Sequence, residues 1–178
     1  RFALRSDRLA MPHMPATGVS GLDLYVKEQG RWHWLANGRP EKQKEEKVLV
    51  QGLKPGQREY LLYLPLYNGV DEVSLGVPTG ATLELPPPRP PGMKPIVFYG
   101  TSIVQGGCAA RPGMAYPAIL GRRFDRPTLN LGFSGNALGE PEMAEIFAEL
   151  DPAVYVLDPL PNMTAEMVTE RLERFVLI

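Results

Sequence analysis

Three short segments of the sequence combine the residue types that acyl transfer requires, and each follows an apolar run. They contain Ser102, Gly135 and Asn162. A serine hydroxyl can attack an acyl carbonyl, while a glycine N–H and an asparagine carboxamide can stabilise the oxyanion that forms. Each residue alone is weak evidence, because a small hydroxyl residue after a strand often only caps a helix. Their combination indicates acyl-transfer chemistry if the fold brings them together.

The elements around these segments alternate between strand and helix patterns. Predicted strands cover residues 96–99, 128–133 and 153–157, and predicted helices cover residues 115–124, 141–150 and a segment from Thr164, whose hydroxyl can cap it. Such alternation with short connections predicts a parallel sheet with helices on its faces. Ligands of these sheets bind at the carboxyl ends of the strands, so the three segments should meet at one edge.

The residues before this α/β pattern read as short strands separated by turns. The strand-like runs cover residues 22–27, 32–35, 48–53, 60–66 and 73–77. Turn sequences such as Gln29-Gly30 lie between them, and their spacing predicts a small β-sandwich. The mixed charges of residues 41–47 predict an exposed loop.

A proline-rich stretch, PPPRPPGMKP, separates the two patterns at residues 86–95. Proline at this density favours an extended, stiff chain and excludes helix or central strand. We interpret the stretch as a spacer rather than as a ligand for a proline-recognition domain. The predicted organisation is a β-sandwich domain over residues 1–85, a linker over 86–95 and an α/β domain over 96–178.

The segments PIVFYGTSIVQGGCAARPGMAYPAIL, LNLGFSGN and VYVLDPLPNM resemble the SGNH, or GDSL-like, hydrolase superfamily over most of residues 95–175. The resemblance implies a three-layer, flavodoxin-like α/β domain and a serine esterase that needs no cofactor. It also implies that Ser102 is the nucleophile, and that the N–H groups of Ser102 and Gly135 and the side chain of Asn162 donate to the oxyanion. Around MPHMPATGVSGLDLYV, the chain is more loosely similar to a bacterial subgroup with an N-terminal β-sandwich of jelly-roll type.

Two features depart from the superfamily pattern. Thr101 stands where the family motif has Asp, and no Asp-x-x-His follows Asn162. The histidines of the chain, His13 and His33, lie in the β half. Because a serine hydroxyl is a poor nucleophile without a base, we expect a further C-terminal segment that carries the catalytic Asp and His. The alternatives are a complete chain with a decayed site, or a base supplied by His13 from the β half.

Other candidate sites have weaker support. A nucleophile elbow of the α/β-hydrolase type needs a second glycine where Val104 stands, and Gly106-Gly107 lacks the spacing of a dinucleotide site. Cys108 is interpreted as a small packing residue rather than a nucleophile. The pair Trp32 and Trp34 would share one strand face, where core packing is favoured over a sugar-stacking platform.

The composition excludes several functional classes. Nineteen Lys and Arg against 20 Asp and Glu give a net charge of −1, so the chain has no basic field for nucleic acid or a membrane surface. The longest apolar runs are far shorter than the roughly 20 residues that span a bilayer. One cysteine and two histidines exclude an internal disulfide and a four-ligand structural zinc site. Cytoplasmic and periplasmic or secreted locations both remain open, as does the oligomeric state.

The expected function is hydrolysis of carboxylic esters through an acyl-enzyme, with O-acetyl groups on carbohydrate as the favoured substrates. Two alternative functions are compatible with the same sequence features. An acyltransferase would pass the acyl group from the same serine to another acceptor. A non-catalytic glycan-binding module would use the β half for recognition, with the α/β half as an inert scaffold.

Overall fold

The computed structural model describes residues 1–177, and its contacts divide the chain into two compact units. The first, here called the β unit, contains Arg1–Pro90 and Cys108–Met114; the second, the α/β unit, contains Pro91–Gly107 and the residues from Ala115 onward. The sequence pattern alone assigns Cys108–Met114 to the α/β domain, whereas its contacts place it in the β unit. Across residues 1–177, no helix has the length and apolar character needed to cross a membrane.

The β unit contains two antiparallel sheets of three strands each. In one sheet, β1 (Phe2–Leu4) lies between β4 (Lys44–Glu45) and β6 (Val70–Val73). In the other, β2 (Leu22–Glu28) lies between β3 (Arg31–Gly38) and β5 (Glu59–Tyr63), and a short helix, α1 (Ala16–Val19), precedes β2. Side chains from both sheets share one apolar cluster, which contains Phe2, Leu4, Leu22, Leu62 and Val70.

The hairpin between β2 and β3 forms where the turn sequence predicts it. Gln29 and Gly30 have φ angles of +49° and +76°. Positive φ at both central residues is the requirement of the tight hairpin turn whose twist matches that of antiparallel strands. A glycine adopts this conformation without steric cost, so Gly30 favours the turn at this position.

Two predicted strands of the β unit are wrong: one is absent and one is displaced. Residues 48–53 form no strand, and Val48 is 74% exposed, so the apolar run there lacks a partner face. The strand predicted at 73–77 instead ends at Val73 and begins at Val70. Conversely, residues 41–47, where the sequence predicts an exposed loop, contain the short strand β4. This strand pairs with β1, since Lys44 lies opposite Ala3. Strands of two or three residues are too short to show a periodicity, and backbone pairing with distant residues defines them.

Residues 86–95 contain no helix or strand, as their proline content predicts. The α/β unit then follows with a parallel sheet in the order β8-β7-β9. Its strands are β7 (Ile96–Gly100), β8 (Thr128–Gly132) and β9 (Val154–Asp158), and its helices are α2 (Ser102–Gln105), α3 (Tyr116–Arg123), α4 (Pro141–Ala148), α5 (Ala165–Met167) and α6 (Glu173–Leu177), with a π-helical turn at Val168–Leu172. The predicted alternation of strands and helices is confirmed.

Every residue of the central strand β7 is buried, and its side chains serve two cores. Phe98 packs on one face with Val104 of α2 and Tyr116 of α3. Tyr99 packs on the other face with Phe147 of α4 and Phe175 of α6. The alternation of side chains along a strand therefore places helices on both faces of this sheet.

The predicted cap at Thr164 is also present. The Thr164 hydroxyl accepts a hydrogen bond of 3.2 Å from the backbone N–H of Met167. This satisfies one of the amides that the first turn of a helix leaves unpaired, so the helix begins at Ala165.

Candidate active site

The three candidate segments begin at one edge of the parallel sheet. In the strand register, Gly100 at the end of β7 lies opposite Gly132 at the end of β8 and opposite Asp158 at the end of β9. Ser102, Gly135 and Asn162 follow these three strand ends by two to four residues. The topology therefore starts all three loops at the edge where parallel α/β sheets bind ligands.

Ser102 is the first residue of α2 and is partly exposed. The residue before it, Thr101, is buried, and the residue after it, Ile103, is exposed. Thr101 is fully buried and caps the helix, since its hydroxyl accepts a 3.3 Å hydrogen bond from the amide of Ile103. A threonine oxygen can perform this cap in place of a carboxylate. The departure from Asp at position 101 thus leaves the start of the helix, and the placement of Ser102, intact.

Two glycines allow α2 to pack against the strand ends. A Cβ atom built on Gly132 would overlap the backbone of Gln105, and one built on Gly100 would overlap Val104 and the carbonyl of Asp158. Any side chain at either position would separate the helix from the sheet. The position of Ser102 therefore depends on these two glycines.

The loop after β8 presents the backbone of Gly135. Gly135 has a φ of +73° and no protein atom lies within 4 Å of its ideal Cβ position, so it occupies an open, exposed turn. The side-chain oxygen of Gln105 accepts a 3.1 Å hydrogen bond from the amide of Ser134, which ties this loop to α2. Within residues 1–177, the Gly135 amide has no hydrogen-bond acceptor.

Asn162 ends a 3₁₀ turn that follows β9, and its side chain points to the neighbouring loop. Its Nδ2 donates a 2.7 Å hydrogen bond to the carbonyl of Asn136. A carboxamide nitrogen carries two hydrogens, so this bond orients the group and leaves the second N–H available. The sequence analysis missed the role of Asn136, although it directly follows Gly135 in the sequence.

The residues that follow Asn136 are held by a buried hydroxyl and a carboxylate. Tyr99 donates a 2.6 Å hydrogen bond to Glu140, which also accepts from the amide of Leu138 at 3.1 Å. Burial opposes ionisation of Glu140, but these hydrogen bonds outweigh it and lower the pKa of its carboxyl group. An ionised Glu140 thus fixes the chain beyond the Gly135 turn.

A second tyrosine fixes the end of β9. The Tyr116 hydroxyl donates a 3.2 Å hydrogen bond to Asp158, and its ring packs edge-on against Phe98. Burial raises the pKa of Tyr116 to about 12, and the negative charge of Asp158 adds to this effect. Tyr116 therefore remains a neutral donor at neutral pH, and α3 is joined to the strand from which the Asn162 loop begins.

The other candidates lie in the β unit. His13 and His33 belong to it, and so does Cys108, which is exposed rather than a packing residue. Trp34 is 51% exposed, so the expectation of core packing is wrong for this residue. No group of three or more His, Cys, Asp or Glu residues that could hold a metal ion occurs among residues 1–177.

Comparison with known proteins assigns both halves of the chain to related families. Residues 93–178 match the GDSL-like lipase/acylhydrolase family, and residues 1–83 match the GxDLY family, the N-terminus of SGNH hydrolase-type esterases. Together the two matches cover residues 1–83 and 93–178, and both point to the GDSL-like, SGNH-type hydrolases.

The solved structures that resemble the chain include two that have a described activity or family. A protein from Bacteroides ovatus ATCC 8483, described as a GDSL-like lipase, is 39% identical, with a TM-score of 0.91 over 99% of this chain and 51% of that protein. The chain thus spans about half the length of this relative. The salicylyl-acyltransferase SsfX3 from a tetracycline biosynthetic pathway shares the fold at 24% identity, with a TM-score of 0.59 over 76% of this chain and 39% of that one. No curated protein matches the chain.

The close approach of α2 to β8 is testable by adding one methyl group. Gly132→Ala should lower the free energy of unfolding by about 1–3 kcal/mol, because the new Cβ must displace the Gln105 backbone. Urea unfolding measures the change. Gly76→Ala is the matched control, since nothing lies within 4 Å of its ideal Cβ. Equal stability of the two variants would contradict the packing role of Gly132.

Proposed function

We propose that this protein is a serine esterase that hydrolyses carboxylic esters through an acyl-enzyme. The observation that carries the proposal is the position of Ser102 as the first, partly exposed residue of α2, at the sheet edge where the Gly135 and Asn162 loops begin. A nucleophile at this edge is reachable by substrate and flanked by loops that offer N–H donors.

In the proposed reaction, Ser102 Oγ attacks the ester carbonyl carbon and transfers its proton to a base. The tetrahedral intermediate collapses, the ester C–O bond breaks, and the alcohol leaves with a proton. Water then attacks the acyl-serine and releases the carboxylic acid, which regenerates the hydroxyl. This two-step reaction needs no cofactor.

The oxyanion of each tetrahedral intermediate would accept hydrogen bonds from the backbone amides of Ser102 and Gly135 and from the second Nδ2 hydrogen of Asn162. Two features support this assignment: the Gly135 amide has no acceptor within residues 1–177, and the Asn136 carbonyl orients Asn162. Donors fixed before the reaction stabilise developing charge without reorganisation.

Within this chemistry, we propose O-acetyl groups on carbohydrate as the substrates. The half-exposed indole of Trp34 supports a carbohydrate ligand, because it offers an aromatic surface of the kind on which a sugar ring can stack. An acyltransferase remains the alternative, since the same acyl-enzyme can pass its acyl group to a hydroxyl other than water. Product analysis with added alcohols separates the two, because only a transferase yields the new ester as the main product.

We also propose the finer architecture that the superfamily implies. The two sheets of the β unit would form a jelly-roll-like sandwich, supported by the apolar cluster that both sheets share. The α/β unit would be a three-layer, flavodoxin-like domain, supported by the separate cores on the two faces of β7.

The nucleophile is tested with a fluorophosphonate probe, which reacts with activated serine hydroxyls. We expect the full-length protein to be labelled at Ser102 and to hydrolyse an activated acetate ester, and Ser102→Ala to lose both. Ser74→Ala, which removes an exposed hydroxyl of the β unit, is the control and should retain both. Unchanged hydrolysis by Ser102→Ala would overturn the assignment. Absence of labelling and hydrolysis in the wild type would favour the glycan-binding scaffold.

The oxyanion role of Asn162 predicts a change in kcat rather than in KM. Asn162→Ala should lower kcat by about 10²–10³-fold with little change in KM, because the donor acts mainly in the transition state. Asn136→Ala keeps the carbonyl that orients Asn162, so steady-state kinetics should show a smaller effect. A change confined to KM in Asn162→Ala would indicate substrate binding instead.

The third test asks whether a histidine of this chain is the general base for Ser102. Both histidines, His13 and His33, lie in the β unit. We expect His13→Ala and His33→Ala to retain kcat and the shape of the pH–rate profile. A roughly thousandfold fall in kcat, or loss of the titration on the basic side of the profile, in His13→Ala would identify His13 as the base.

A further inference from the structure

A buried carboxylate in the β unit has no role in the reaction proposed above. Asp23 of β2 is fully buried and accepts three hydrogen bonds. The donors are the indole N–H of Trp34 at 2.8 Å, the guanidinium of Arg111 at 3.1 Å and the amide of Gly113 at 2.8 Å. A buried charge is tolerated only when it is paired and hydrogen-bonded, so the geometry around Asp23 is tightly specified.

Arg111 is the centre of this arrangement. Besides its ion pair with Asp23, it donates a 2.7 Å hydrogen bond to the Tyr25 hydroxyl. Its guanidinium also lies 5.7 Å from the centre of the Tyr25 ring and 4.9 Å from that of Trp34. A guanidinium between a carboxylate and aromatic faces combines charge, hydrogen bonding and cation–π attraction.

The contacts also involve other residues of Cys108–Met114, here called the 108–114 segment. Thr17 donates a 2.5 Å hydrogen bond to the carbonyl of Ala110. A Cβ atom on Gly18 would overlap the carbonyl of Ala109, and one on Gly113 would overlap Tyr25 and Asp23. Close backbone approach at two glycines, together with the Asp23 and Thr17 hydrogen bonds, fixes the segment at four of its residues.

The segment is covalently continuous with the nucleophile helix. Its first residue directly follows Gly107, whose amide donates a 2.6 Å hydrogen bond to the Ser102 carbonyl; the amide of Gly106 donates to the same carbonyl at 3.0 Å. At its other end, Ala115 leads directly into α3, where Tyr116 binds Asp158. The residue that bonds the backbone of Ser102 is therefore the immediate neighbour of a fixed segment.

We propose that Asp23 and Arg111 are positioning residues for Ser102: they hold the 108–114 segment, which sets the position of Gly107 and thus the backbone and attack geometry of the nucleophile. Asp23 and Tyr25 are the D and Y of the sequence Gly21-Leu22-Asp23-Leu24-Tyr25. This inference rests on the proposed function, in which Ser102 is the nucleophile. It assigns the β unit a part in catalysis that does not involve contact with substrate.

The test removes the guanidinium and measures Ser102 itself in the full-length protein. Arg111→Ala should lower both the rate of fluorophosphonate labelling and kcat by about tenfold or more, with KM changed less than about twofold, because displacement of a reacting group by even 1 Å is costly. Added methylguanidinium should restore a large part of the labelling rate in Arg111→Ala and none in Ser102→Ala. Arg39→Ala, which removes an exposed guanidinium of the β unit, is the control and should match the wild type.

A second variant covers the case in which Arg111→Ala does not fold. Trp34→Phe removes only the indole N–H that donates to Asp23 and keeps the aromatic ring, so circular dichroism should show a folded protein. Its labelling rate should fall about threefold, which is less than the fall expected for Arg111→Ala because only one hydrogen bond is lost. Folded variants with wild-type labelling rates and kcat would overturn the positioning role while Ser102 labelling in the wild type upholds the proposed function. A wild type that is not labelled would overturn both.

Discussion

The structure of the α/β unit depends on the parallel pairing of one buried strand with two neighbours. Because β7 pairs in register with β8 and β9, Gly100 lies opposite Gly132 on one side and Asp158 on the other. This register starts three loops at one edge, and the two glycines let the short helix α2 pack against the strand ends. A shift in register would move these ends apart and would turn side chains to the wrong face.

The loops of the candidate site are held in place by hydrogen bonds to neighbouring loops and helices. Gln105 ties the Gly135 loop to α2, the Asn136 carbonyl orients Asn162, and Tyr99 with Glu140 fixes the chain that follows. Such an arrangement suits electrostatic stabilisation, since the donors are fixed by packing before any substrate arrives.

The ion pair between the buried Asp23 and the partly exposed Arg111 fixes geometry within the β unit in the same way. An ion pair in this environment contributes little net stability but specifies geometry strongly, because the partners leave unpaired charge if they separate. Its location along the chain connects this specificity to α2, since the 108–114 segment begins one residue after Gly107.

The sequence by itself predicted the three strands of the α/β unit, its helices α3 and α4, the capped helix start at Thr164 and the turn at Gln29-Gly30, and it supplied Ser102, Gly135 and Asn162 as candidates for the site; it predicted neither the helix α2 nor the contact of Asn136 with Asn162. The predicted features depend on local periodicity, turn chemistry and motif spacing, which residues close in sequence specify. Only the tertiary structure decided the pairing of Phe2–Leu4 with distant strands, the absence of a strand at residues 48–53 and the place of the 108–114 segment. Asp23 and Arg111 are 88 residues apart, and burial makes their interaction specific, so no local pattern could have revealed it.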